Sequence, residues 1–114
     1  MTDFKELQTK EELEQMWKRS TEKPVLVLKH STTCPISAEA FKQYQAFLES
    51  GADPAEAYLV KVIESRDLSN QLAEETGVKH ESPQLFLLQD NHVRWHTSHS
   101  AITEDAINQA LQQA

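Results

Sequence analysis

The sequence predicts an α/β fold in which a central four-stranded mixed sheet is flanked by helices. Residues 25–28 (Val-Leu-Val-Leu) and 58–63 (Tyr-Leu-Val-Lys-Val-Ile) are apolar at both parities, the pattern of strands covered on two faces. The stretch between them carries a helical pattern and is long enough for a crossover, so these strands should be parallel in a right-handed βαβ unit. Two later apolar runs, residues 85–88 and 93–95, flank Asp90-Asn91, residues that tolerate the left-handed conformations of a tight turn. They predict an antiparallel hairpin.

Each element has a local cause. Thr9 and Glu12 have capping-box spacing, and Leu13, Met16 and Trp17 follow at helical intervals, which predicts an opening helix from about Lys10 to Arg19 before Lys23-Pro24 breaks it. After the first strand comes a polar turn, His30-Ser31-Thr32-Thr33. Pro35 then suits the first position of a helix whose face is Phe41, Tyr44, Phe47 and Leu48 and whose end falls near Gly51. Leu68 and Leu72 mark a polar helix stopped by Gly77. Thr103 can cap a last helix bearing Ile107 and Leu111, with Ile102 placed to contact Ile107 as a hydrophobic staple. The expected order is α-βαβ-α-ββ-α. Burial should concentrate on residues 25–28, Phe41, Leu59, Phe86 and Leu87.

The 114 residues fit one domain, 1–114, with only two glycines and no repeat or low-complexity tract. A formal charge of -7 disfavours nucleic acid and anionic membrane surfaces as partners. No apolar run approaches the roughly 18 residues of a membrane span, and the acidic start is unlike a signal peptide, so a cytoplasmic location is expected. The single cysteine can neither close an internal disulfide nor build a thiolate metal site alone. Any redox role must therefore run through a mixed disulfide with another molecule.

In an open α/β sheet, ligands gather outside the carboxyl ends of the parallel strands, where the turn leading to Cys34 lies. With Pro35 as first helical residue, Cys34 falls at a helix N-terminus, where unpaired amides and the positive dipole end favour a thiolate. Ser37, one turn on, is placed to donate to that thiolate but cannot serve as a second thiol. The competing reading is an inert buried cysteine. Polar neighbours, Ser31, Thr32, Thr33 and Ser37, favour the functional one.

Five histidines raise the question of a metal site. His92 and His96 share strand parity, but four residues span about 13 Å along a strand, too far for one ion, so no metal is expected and solvent-facing hairpin residues are the better reading. Lys29, His30, Lys79 and His80 form a candidate anion-attracting patch in an otherwise acidic chain. Glu39, Glu64 and Glu81 could pair with these bases. Trp17, Phe41, Phe47, Phe86 and Trp95 read as core, and Glu74-Glu75 as a solvated helix face.

The run Thr33-Cys34-Pro35-Ile36-Ser37 after an apolar strand, with Ser82-Pro83 before the hairpin, resembles the monothiol bacilliredoxins of the thioredoxin-like superfamily. The resemblance covers essentially the whole chain in element order. It implies a thioredoxin-like fold and removal of bacillithiol from bacillithiolated proteins, with bacillithiol as thiol co-substrate and no bound cofactor. Cys34 then corresponds to the attacking cysteine, Ser37 to the second cysteine of dithiol relatives, and Pro83 to the superfamily's cis-proline. A cis X-Pro bond there can aim the Ser82 backbone at a sulfur-bound substrate. Thr33 in place of an aromatic, and the missing second thiol, argue against a general dithiol reductase. A dithiol bacilliredoxin or reductase is the implied recycling partner.

Three other functions use the same residues. A thiol-dependent peroxidase would oxidise Cys34 to a sulfenic acid and consume peroxide stoichiometrically. An iron-sulfur carrier would pair two copies of Cys34 with two external thiols and absorb visible light after anaerobic reconstitution. A thioredoxin-like binding module would keep Cys34 buried and slow to alkylate.

Overall fold

The structure is a computed structural model that describes residues 4–50 and 55–112. Among the described residues, five strands and four helices follow in the order β1 (Lys5–Glu6), α1 (Lys10–Arg19), β2 (Val25–His30), α2 (Pro35–Glu49), β3 (Glu56–Lys61), α3 (Arg66–Thr76), β4 (Gln84–Gln89), β5 (His92–Ser98) and α4 (Glu104–Gln112), with a 3-10 turn at His99–Ala101. The sheet order is β1-β3-β2-β4-β5. β1, β3 and β2 run parallel, whereas β4 is antiparallel to both β2 and β5. The expected sheet of four strands thus gains a fifth. β1 has two residues, too short for any periodicity, and it exists because β3 offers it an edge: Leu7 N–H donates to Leu59 O at 2.8 Å.

Two apolar layers sandwich the sheet. On one face Leu26, Leu28, Leu85 and Leu87 pack with Tyr44 and Phe47 of α2 and with Ile102 and Ile107 at α4. On the other, Val25, Val27, Phe86 and Leu88 pack with Leu13 and Met16 of α1 and Leu68 and Leu72 of α3. The strand alternation thus sends successive β2 residues to opposite cores. Burial at residues 25–28, Leu59, Phe86 and Leu87 agrees with the sequence reading. Phe41 does not: it is partly buried, lying between Phe4 and His30 with ring centroids 5.6 and 4.9 Å away. β3 also ends sooner than its apolar run, which leaves Ile63 outside the strand and 48% exposed.

The local signals hold where they were most specific. Thr9 Oγ1 accepts from Glu12 N–H and the Glu12 carboxylate accepts from Thr9 N–H, closing the capping box. Gly77 ends α3 at φ 72°, a left-handed position that favours glycine. Asp90 and Asn91 have φ of 54° and 63°, as a two-residue hairpin turn requires. Their backbone N–H groups are held by Ser20 at the end of α1, one by its carbonyl and one by its hydroxyl. Thr103 Oγ1 accepts from Ala106 N–H at the start of α4. Gly51, the expected end of α2, lies outside the described residues, and Ser50 caps the helix. Glu75 is not merely solvated, since its carboxylate accepts from the Trp17 indole at 2.8 Å. Among the described residues, no helix is long and apolar enough to cross a membrane.

Candidate active site

β2 delivers the chain to the carboxyl end of its parallel pair, where the polar turn reverses direction into α2. Cys34 is the N-cap of α2, in extended conformation, with Pro35 as the first helical residue and no side-chain capping bond. Its backbone carries the connection: Cys34 N–H donates to Ser31 O, and Cys34 O accepts from Ala38 N–H at 3.0 Å. Cys34 is partly exposed and free of any disulfide among the described residues. A helix start of this kind leaves amide donors uncommitted and their positive partial charge beside the sulfur.

Ser37 sits one turn into α2 but does not do what its spacing suggested. It is fully buried, and its hydroxyl accepts from Ser31 N–H at 3.2 Å. Ser37 Oγ makes no hydrogen bond to Cys34 among the described residues; it braces the turn that presents the sulfur. Ser31 Oγ and Thr33 Oγ1, 3.3 Å apart, tie the same turn from the other side. Thr32 reaches Glu64 at 3.5 Å, linking the turn to the segment after β3.

The Ser82-Pro83 peptide is cis. Pro83 O accepts from His99 N–H at 3.0 Å, so the loop before β4 is joined to the turn after β5. Between α2 and that turn lies a groove of about 340 Å³, walled by Pro35, Ile36 and Glu39 on one side and His99, Ile102 and Thr103 on the other. Ile36, the fourth member of the five-residue motif, is 49% exposed there.

The four bases proposed as a surface patch separate by depth. Lys29 is fully buried and His30 is 8% exposed, whereas Lys79 and His80 are exposed. Alternation along β2 explains the split, because both strand faces are covered by helices and a side chain on either is drawn inside. Lys29 points to the α1 and α3 face, where its Nζ lies 3.2 Å from His80 Nδ1 and 5.8 Å from the Phe86 ring centroid. Burial pulls its pKa down to about 8. His30 points to the opposite face, against Phe41, and its buried Nδ1 has no partner. Its pKa is lowered by burial, with the Ser37 backbone acting in the opposite sense. The expected carboxylate partners are occupied elsewhere: Glu39 with Gln43, Glu64 with Thr32, and Glu81 near His99 at 4.0 Å. Among the described residues, no carboxylate pairs with Lys29. The sequence places Lys29 and His80 in one candidate patch, and the structure brings them into direct contact across 51 positions.

One partly exposed thiol at an uncapped helix start, on a thioredoxin-like sheet with a cis-proline before its hairpin, defines a thiol-disulfide oxidoreductase that works with a single cysteine. Comparison with known proteins agrees. The family model for the monothiol bacilliredoxin BrxC matches residues 5–107, and the chain belongs to that family. A solved thioredoxin-fold protein assigned as a candidate oxidoreductase is 38% identical, with a TM-score of 0.85 over 94% of this chain and 92% of that one. The oxidised mitochondrial thioredoxin 3 of Saccharomyces cerevisiae superposes with a TM-score of 0.74 at 15% identity, covering 97% and 95% of the two chains. A variant thioredoxin from Halobacterium salinarum gives 0.77 at 18% identity, covering 98% and 90%. These last two share the fold.

Proposed function

We propose that this oxidoreductase removes bacillithiol from bacillithiolated proteins. The Cys34 thiolate attacks the bacillithiol sulfur of a mixed disulfide, the bond between bacillithiol and the protein breaks, and a new disulfide joins bacillithiol to Cys34. The protein sulfur leaves as a thiolate and takes a proton from water. One disulfide replaces another, so no external oxidant or reductant is consumed in this step. Because the chain has no second cysteine, an external thiol must attack the Cys34 adduct, either free bacillithiol or a dithiol bacilliredoxin or reductase.

The observation that supports this reading is the placement of Cys34: partly exposed, at the start of α2, with no capping bond from any side chain. Thr33, Pro35 and Ser37 shape that turn, and Ser82 and Pro83 would present backbone to a sulfur-bound substrate. Incubation with oxidised bacillithiol should add one bacillithiol mass to the native protein. A bacillithiolated substrate protein should lose its modification to wild type and keep it with Cys34→Ser. Equal rates on bacillithiolated and glutathionylated substrates would retain the oxidoreductase and reject bacillithiol as the preferred thiol.

A further inference from the structure

Lys29 is a buried ammonium with no carboxylate partner among the described residues, and a buried charge persists only where other groups compensate it. Its hydrogen-bonding contact is His80 Nδ1, which Ser69 Oγ also approaches at 3.4 Å. An ammonium only donates, so this contact makes Nδ1 the acceptor and places the imidazole proton on Nε2. Ser69, from α3, is then a second donor to the same nitrogen. Both ring contacts fall on Nδ1, and His80 is exposed in the loop that runs to Ser82 and Pro83, which leaves the Nε2–H uncommitted among the described residues.

From this geometry we propose that Lys29 and His80 act as one anion-recognising unit, in which buried Lys29 is a positioning residue and His80 Nε2–H donates to a carboxylate of the thiol being transferred. The idea rests on the bacillithiol reading, since the malate part of bacillithiol supplies the carboxylate. It also explains how a buried lysine can serve recognition: its charge is expressed through a neutral ring that remains in contact with solvent. The groups around the ring fit. Lys29 from β2 and Arg66 from α3 oppose a second charge on His80, Glu81 beside it in the loop favours one, and Ser69 is neutral. Burial, followed by Lys29 and Arg66, lowers the His80 pKa. His80 is therefore a neutral donor at neutral pH.

The decisive measurement is the imidazole nitrogen NMR spectrum of the full chain carrying Cys34→Ser, which prevents exchange. At pH 7.5 His80 should show a protonated Nε2 and an unprotonated Nδ1, and reduced bacillithiol should shift the Nε2 signal. Lys29→Met should raise the His80 pKa, while burial and Arg66 still hold it below the ordinary histidine value. In the exchange assay, with Cys34 present, Lys29→Met should raise KM about tenfold for a bacillithiolated protein, the size of one hydrogen bond to a charged group. The same protein carrying cysteamine, which has no carboxylate, should show no such rise. If Lys29→Met fails to fold, His80→Gln, which keeps an N–H near Nε2, should retain the low KM that His80→Ala loses. A proton on Nδ1, an Nε2 signal indifferent to bacillithiol, or equal losses on the two disulfides would overturn the proposal. Wild type that clears cysteamine but not bacillithiol would instead overturn the bacillithiol reading.

Discussion

Helices α1 and α2 begin alike in sequence, each with a small polar or thiol residue just before the first helical position, yet their ends serve different purposes. At α1 the capping box occupies the N-terminal donors, Arg19 near the other end pairs with Glu56, and Ser20 holds the hairpin turn. At α2 the N-cap side chain is a sulfur that caps nothing. The contrast shows that an unfilled helix start is a chemical resource. A hydroxyl or carboxylate there would spend the amides on stability, whereas a thiol leaves them to act on a thiolate and its partner.

Exchanging the two caps should separate chemistry from stability. Cys34→Ser should abolish disulfide exchange while preserving the fold, as circular dichroism and a bacillithiol-release assay would record. Retained exchange would disprove the role of Cys34.

The strand that leads to α2 carries the next effect. Lys29 has a folded pKa of about 8 against 10.5 for the free group. Between those values the unfolded chain binds more protons, so this residue makes stability rise with pH across that window, by about 2 to 3 kcal/mol at most. Denaturation of Lys29→Met should lack this increment relative to wild type; identical pH profiles would show that the lysine is not perturbed.

Ser37→Ala tests the brace under the open helix start. It leaves Ser31 N–H buried without its acceptor, and should lower stability by about 1 to 3 kcal/mol in denaturant titrations. Thr9→Ala, the matching change at α1, should cost about 1 kcal/mol and leave exchange untouched. A fall in exchange rate comparable with that of Cys34→Ser would erase the distinction between the helices.

The smallest effect belongs to the ion pair of α1. Arg19, chiefly through its hydrogen bonds, lowers the Glu56 pKa, so its stabilisation is complete above the unfolded value of about 4.3 and is lost as pH falls through the depressed folded value. The pair is partly exposed, and Arg19→Gln should lower stability only slightly, less still in high salt. A larger loss that salt does not reduce would mean that Arg19 supports α1 by packing.

The sequence by itself determined the features whose causes lie within a few residues: the capping box at Thr9, the stop at Gly77, the left-handed pair Asp90-Asn91, the proline that starts α2 beside Cys34, and the two-sided apolar strands. Short-range sterics and hydrogen bonding act on neighbours, so these are written in adjacent letters. Only the tertiary structure decided the rest. β1 forms because β3 has an open edge, Ser37 turns inward to Ser31, and Trp17 finds Glu75. Lys29 and His30, neighbours in a polar-looking pair, go to opposite cores because helices cover both faces of β2. His80 then meets Lys29 across 51 positions. Such contacts depend on which surfaces the packed sheet and helices bring together, and no local pattern encodes that.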